Sequence, residues 1–173
     1  MAGGILKIEL NRGEVSAAGL RFAVVVSRWN DRLTSKLAAG AREALIECGA
    51  EVASIETFSV PGAFELPLAC LKAAQSTKFD AVIALGVVIR GDTPHFDYVA
   101  GETARGIMQV SLETGVPVLF GVITADTTDQ AEARSGERAD NKGYEAARSA
   151  VEMAQLMREI DTPVSKTLTR GSN

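Results

Sequence analysis

"DAVIALGVVIRGDTPHF", residues 80–96, begins as an unbroken apolar run and then delivers Arg90, Gly91, Asp92, Thr93, Pro94 and His95 in succession. The run is short and rich in Val and Ile, which suits a strand covered on both faces. His95 is the only histidine of the chain. "DYVAGETARGIMQVSLETG" (97–115) follows with helical spacing and ends at Gly115. A buried strand that opens into a polar, glycine-containing loop and then a helix is the repeating unit of a parallel α/β fold.

The same alternation extends in both directions. "RFAVVVSR" (21–28) is another continuous apolar run, and "TSKLAAGAREALIECGA" (34–50) places Leu37, Ala41, Ala44, Leu45 and Cys48 on one helical face, with Gly49 set to end the helix. "AEVASIETFSV" (50–60) reads as a strand and "AFELPLACLKAAQ" (63–75) as a helix with Pro67 in or near its first turn, where a missing N–H is tolerated. "VPVLFGVIT" (116–124) is the last strand of the series. A short helical piece around "TDQAEARSG" and a long helix over 142–159 follow, the latter with Ala147, Val151, Ala154 and Met157 on its apolar face. This pattern predicts a three-layer α/β/α sandwich around a four-stranded parallel sheet, doubly wound and flavodoxin-like. "ILKIEL" (5–10) looks like an extra N-terminal strand that pairs at a sheet edge, in its own chain or a neighbour's, and the polar tail 161–173 reads as frayed.

With 173 residues, 46% of them hydrophobic, the chain is the size of one compact domain. Net charge is -4 and the basic residues are scattered, so there is no electrostatic footprint for nucleic acid or an anionic membrane. Cys48 and Cys70 fall in apolar helical patterns as small buried hydrophobes, and one histidine with no cysteine pair at ligand spacing argues against zinc. No segment has the length of a membrane span, and the N-terminal residues lack a signal-peptide core. The expected compartment is the cytoplasm.

In an open parallel sheet, ligands bind beyond the carboxyl ends of the strands. That rule selects "SRWN", "SVPGAFE", "VIRGDTPHF" and "ITADTTDQAEARSG", which between them hold the only Trp, the only His, a Gly-flanked Arg and a Pro-Gly turn. Each residue has two readings. Trp29 either caps the core or offers a flat π face to a heterocycle. Glu65 either complements a helix dipole or meets a ligand beside the apolar wall of Phe64. "RGDT" before a helix offers backbone N–H groups, a close-approach glycine and a hydroxyl, as a phosphate oxygen requires, although Asp92 opposes a dense anion site. His95 is either a hydrogen-bonded structural residue or a proton carrier, and Arg134 and Lys142 are either solvated helix charges or an anion grip.

Together, "SRWN", "VPGAFELP", "LGVVIRGDTPHFDYV", "FGVIT" and the "ARSG" to "NKG" segment resemble the lumazine synthase family, in its order and spacing from about Leu20 to Met157. The resemblance implies a transferase of riboflavin biosynthesis. Such an enzyme condenses 5-amino-6-ribitylamino-uracil with 3,4-dihydroxy-2-butanone 4-phosphate to 6,7-dimethyl-8-ribityllumazine, releasing phosphate and water without cofactor or metal. It puts Trp29 against the pyrimidine with Asn30 close by, and the main chain of Val87, Val88 and Ile89 at the ring. Ala63, Phe64 and Glu65 would line the ribityl side, Gly91, Asp92 and Thr93 would form the phosphate loop with Arg134, and His95 would move protons. Phe120, Arg134 and Lys142 are, in the family, supplied by the neighbouring subunit of a pentamer. In some members pentamers close into an icosahedral shell that can enclose riboflavin synthase.

Two departures stand out. "ERADNK" replaces a Thr-Lys-Ala-Gly-Asn-Lys-like loop, so that Asp140 stands for a glycine, and Ser135 stands where Ala is common. The loop before Asn141 carries no insertion, which is permissive for the shell. A phospho-receiver module would need clustered acids after the first strand, and a dinucleotide-binding domain a glycine there; "SRWNDRLTSK" offers neither. The remaining alternative is a non-catalytic lumazine or flavin binder or shell-forming homologue, which could dispense with His95 and Arg134.

Overall fold

The computed structural model describes residues 15–162. The strand expected at 5–10 and nearly all of the polar tail lie outside these residues. Four strands form a parallel sheet: β1 (Phe22–Ser27), β2 (Ile55–Val60), β3 (Ala81–Ile89) and β4 (Val118–Ala125), in the order β2-β1-β3-β4. The unbroken apolar runs are explained by the two central strands, whose alternate residues feed separate cores. Phe22, Val24, Ile83 and Leu85 point into one core, while Ala23, Val25, Val82 and Ala84 point into the other.

Helices α1 (Asp31–Glu47) and α5 (Lys142–Asp161) cover the first face and α2 (Leu66–Gln75) and α3 (His95–Thr114) the second, with the short α4 (Thr128–Ala133) beyond β4. The three-layer arrangement expected from the sequence is therefore observed. Gly49 and Gly115 end α1 and α3 in left-handed conformation, with φ 91° and 70°, as their positions predicted. Pro67 occupies the first turn of α2. Ala147, Val151 and Ala154 of α5 are buried, and Met157 is half-buried at the end of that stripe.

α1 and α5 meet unusually closely at Gly143. A Cβ there would lie 2.0 Å from the Leu37 carbonyl oxygen, so only hydrogen fits between the two backbones.

Three boundaries differ from the sequence expectation. Residues 50–54 are not strand: a 3-10 turn over Val52–Ser54 precedes β2, with the Ser54 N–H and hydroxyl both donating to the Glu51 carbonyl at 2.9 and 2.7 Å. α1 starts at Asp31 rather than 34, because the Asn30 carbonyl already accepts from the N–H of Leu33 and Thr34. α3 starts at His95, two residues early, so the histidine belongs to the first helical turn rather than to the loop.

Cys48 caps the end of α1 and Cys70 sits inside α2, both buried and unpaired. Burial disfavours the thiolate of Cys70 and pushes its pKa from 9.0 up to about 12. Since the native value lies above the unfolded one, this group favours the native state fully below pH 9.0, and its contribution is lost as the pH rises toward about 12. Iodoacetamide at pH 8 is expected to leave Cys70 unlabelled in the native protein and to alkylate it in urea; native labelling at the unfolded rate would contradict the packing of α2.

Candidate functional site

At the carboxyl end of the sheet the loops after β1 and β2 are tied together: the N–H groups of Arg28 and Trp29 donate to the Pro61 carbonyl at 3.2 and 3.1 Å. Gly62 follows, and a Cβ on it would come within 2.6 Å of the Trp29 ring, so the absent side chain is what allows the indole to lie against this turn. Trp29 is nonetheless 62% exposed. It is not a core cap.

Asn30 takes the left-handed conformation at φ 62° and its Nδ2 donates to the Val87 carbonyl at 2.9 Å, bridging the β1 loop to β3. Glu65 bends back, its Oε2 accepting from the Gly62 N–H at 2.8 Å, which stiffens the turn beneath Trp29. These contacts leave a cleft of about 240 Å³ between the β1 loop, the end of β3 and the first turn of α3. Of the residues predicted for the site, Trp29, Asn30, Ala63, Val87, Val88, Ile89, Gly91, Thr93 and His95 all line it.

Phe64, Glu65 and Asp92 do not line this cleft, although Phe64 is the chain neighbour of Ala63, and Asp92 of Gly91 and Thr93, which do. Phe64 is 56% exposed beside it. Phe120 and Lys142 lie in a separate hollow with Leu119, Val122, Glu145, Ala146 and Ser149. The sheet register explains the separation. Phe120 pairs with Ala84 and Ile123 with Val87, so Phe120 sits three residues back along the edge strand, about 10 Å from the level of the cleft. Arg134 ends α4, lines neither hollow and donates from Nη1 to the Gln130 carbonyl at 2.9 Å. Within one chain the expectation of a single pocket holds for three of the four rim stretches.

Phe96 and Val99 also line the cleft and were not anticipated. Val99 was findable, since it lies one helical turn after His95 on the same face. Arg90 has a role that local pattern does not reveal. Its Nε donates to Asp126 at 2.8 Å, its Nη1 lies 3.1 Å from Asp97, and its guanidinium carbon is 4.1 Å from the centre of the Phe96 ring. The hydrogen bond it donates to Asp126 first, then the one it donates to Asp97, hold its pKa above the ordinary arginine value. This cation is therefore engaged in fastening the β3 loop to the loop after β4 and to the first turn of α3. Among the residues lining the cleft none is a lysine or arginine.

The departures in the 134–142 loop are accommodated. Asp140 lies in a 3-10 turn (Arg138–Asp140), and the left-handed residue of the loop is Arg138 at φ 46°. Ser135 is fully buried, its hydroxyl donating to the Glu132 carbonyl at 3.2 Å. Among the described residues no three His, Cys, Asp or Glu side chains are grouped as metal ligands would be, and no helix is long and apolar enough to cross a membrane.

The profile of a family described as 6,7-dimethyl-8-ribityllumazine synthase matches residues 19–158. A protein named 6,7-dimethyl-8-ribityllumazine synthase from Syntrophus aciditrophicus (strain SB) is 52% identical over 151 residues, covering 87% of this chain and 98% of that protein. The chain belongs to the lumazine synthase family. The lumazine synthase match begins before β1 and ends within α5, so the whole cleft and the 134–142 loop fall inside it.

Proposed function

We propose that this chain catalyses the lumazine synthase reaction of riboflavin biosynthesis, joining 5-amino-6-ribitylamino-uracil to 3,4-dihydroxy-2-butanone 4-phosphate with loss of phosphate and water. Family membership supports the activity. The observation that supports the residue roles is the meeting, in one cleft, of an exposed indole, strand-end main chain and the only histidine. The pyrimidine stacks on Trp29, the ring edge meets main chain of Val87 to Ile89, and the ribityl chain runs toward Phe64 and Glu65. The loop of Gly91, Asp92 and Thr93 receives the phosphate and His95 transfers protons beside it.

Schiff-base formation, phosphate elimination and ring closure require two substrates held together and protons moved near neutral pH. Orientation alone can supply much of the acceleration. Imidazole is the side chain best suited to give and take protons in that range. Among the described residues lining the cleft none is a lysine or arginine that could meet the phosphate. Arg134, Lys142 and Phe120 therefore complete it from a neighbouring copy, a planar guanidinium being able to grip phosphate in bidentate fashion. Pentamers are the assembly this reading requires, alone or closed into a shell. Light scattering at micromolar concentration is expected to show a multiple of five subunits, and a monomer that turned over would remove the shared site.

The test is to mix the protein with both substrates and follow the lumazine, corrected for the spontaneous reaction. Turnover above that background is expected. Arg134→Ala is expected to raise KM for the butanone phosphate tenfold or more, in keeping with about 1.5–3 kcal/mol for a hydrogen bond to a charged group. Background rate with retained lumazine binding would make the chain a binder instead.

A further inference from the structure

The side chain of Asn141 is 2% exposed and every hydrogen-bonding position on it is used. Its Nδ2 donates to the Lys36 carbonyl in α1 at 3.0 Å and to the Gly136 carbonyl at 2.9 Å. Its Oδ1 accepts from the N–H of Gly143 at 2.9 Å and of Tyr144 at 3.1 Å, capping α5. α1 is cut away to receive it: a Cβ on Gly40 would lie 2.6 Å from the carboxamide carbon and oxygen.

The backbone around this bolt is pinned too. Ser135 and Asn141 form an antiparallel bridge, the Lys142 N–H donates to the Arg134 carbonyl at 2.9 Å, and the Gly136 N–H donates to the Asp140 carbonyl at 3.0 Å. Arg134 and Lys142 thus flank a closed loop whose only buried polar side chains are Ser135 and Asn141. Capping alone would need only the acceptor. The two donated bonds go instead to the loop and to α1, which makes the loop's position relative to α1 depend on a carboxamide.

We propose that Asn141 is a positioning residue that fixes Arg134 and Lys142 relative to each other and to the subunit carrying them. The inference rests on the reading that this cation pair grips the phosphate of the butanone substrate. Aspartate would lose both donors and set a charge against two carbonyls, and glutamine is one methylene too long for the space Gly40 leaves. Serine keeps the cap and drops both donated bonds.

Asn141→Ser and Gly40→Ala, the latter keeping the carboxamide but taking its space, are therefore the variants to compare with Arg134→Ala. Helical circular dichroism and assembly mass identify the folded variants. In these, KM for the butanone phosphate is expected to rise about tenfold, with KM for the aminouracil within about twofold, since a misplacement of about 1 Å can cost as much as about 10²-fold. In an Arg134→Ala background Asn141→Ser is expected to raise that KM by less than it does alone, since only Lys142 is left to misplace.

If Arg134→Ala leaves the phosphate KM unchanged, the phosphate reading fails and the proposal with it. If Arg134→Ala raises that KM but folded Asn141→Ser does not, or raises both KM values equally, Asn141 is only structural and the proposal alone is overturned. Should Asn141→Ser not assemble, Gly40→Ala carries the same test.

Discussion

His95→Ala is expected to lower kcat by about 10²- to 10⁴-fold, the usual contribution of a positioned acid or base, while both KM values stay within a few fold. The asymmetry follows from where the residue sits. His95 is exposed at the first turn of α3 and lines the cleft, and its backbone rather than its ring holds the local structure, the N–H approaching the Thr93 hydroxyl at 3.4 Å. The packing that holds the first turn is supplied by Arg90 on Phe96 and Asp97, which the substitution does not touch. The surfaces of Trp29 and of the β3 main chain that are proposed to bind the pyrimidine remain as they were. Steady-state kinetics against both substrates checks this. A parallel rise in KM with unchanged kcat would make His95 a binding residue and leave the proton transfers to solvent.

Gly143→Ala is expected to be the most damaging alanine substitution among the described glycines. Its Cβ would meet the Leu37 oxygen at 2.0 Å, the carbonyl carbon at 2.7 Å and the Cα at 2.9 Å, all backbone atoms of α1 that no rotamer change can move aside. Alanine is the better helix former by about 1 kcal/mol, but overpacking commonly costs about 1–3 kcal/mol and here falls at or beyond the top of that range. Parting α1 from α5 would also pull Asn141 from its carbonyl on Lys36. A net loss of about 3 kcal/mol corresponds to a fall of about 1–3 M in the urea midpoint, measured at fixed protein concentration so that any association contributes equally to both proteins. An unchanged midpoint would show that the two helices do not touch at this point in solution.

The contrast between β2 and β3 shows what a single sequence makes readable. β3 is central and covered on both faces, so burial leaves its signature on every residue from Ala81 to Val87. β2 lies at the sheet edge, exposed through Thr57, Phe58 and Ser59, and the strand expected over residues 50–60 forms only from Ile55. Val52 is 57% exposed, and a local hydrogen-bonded turn decided the backbone there. The early start of α3 escaped notice because Pro94 precedes His95, and a proline is as compatible with a loop as with a helix N-terminus.

The candidate site divides along the same line. Residues at the strand ends could be placed by topology alone, since a parallel sheet delivers all its loops to one rim. The engagement of Arg90 by acids 7 and 36 positions away could not. Nor could the buried carboxamide of Asn141, whose partner on α1 lies 105 residues earlier. Local periodicity carries no information about such pairings.

The fastening of Arg90 has a consequence for how activity is acquired. A newly made chain, once folded, presents an exposed indole and its only histidine at one cleft, but Arg90 beside it is already engaged by two carboxylates and, among the described residues, no lysine or arginine lines the cleft. On the two-copy reading, a solitary subunit would pass over phosphorylated metabolites in the cell. Turnover would then switch on at a concentration of protein, when copies meet, and catalytic competence would report that assembly has taken place.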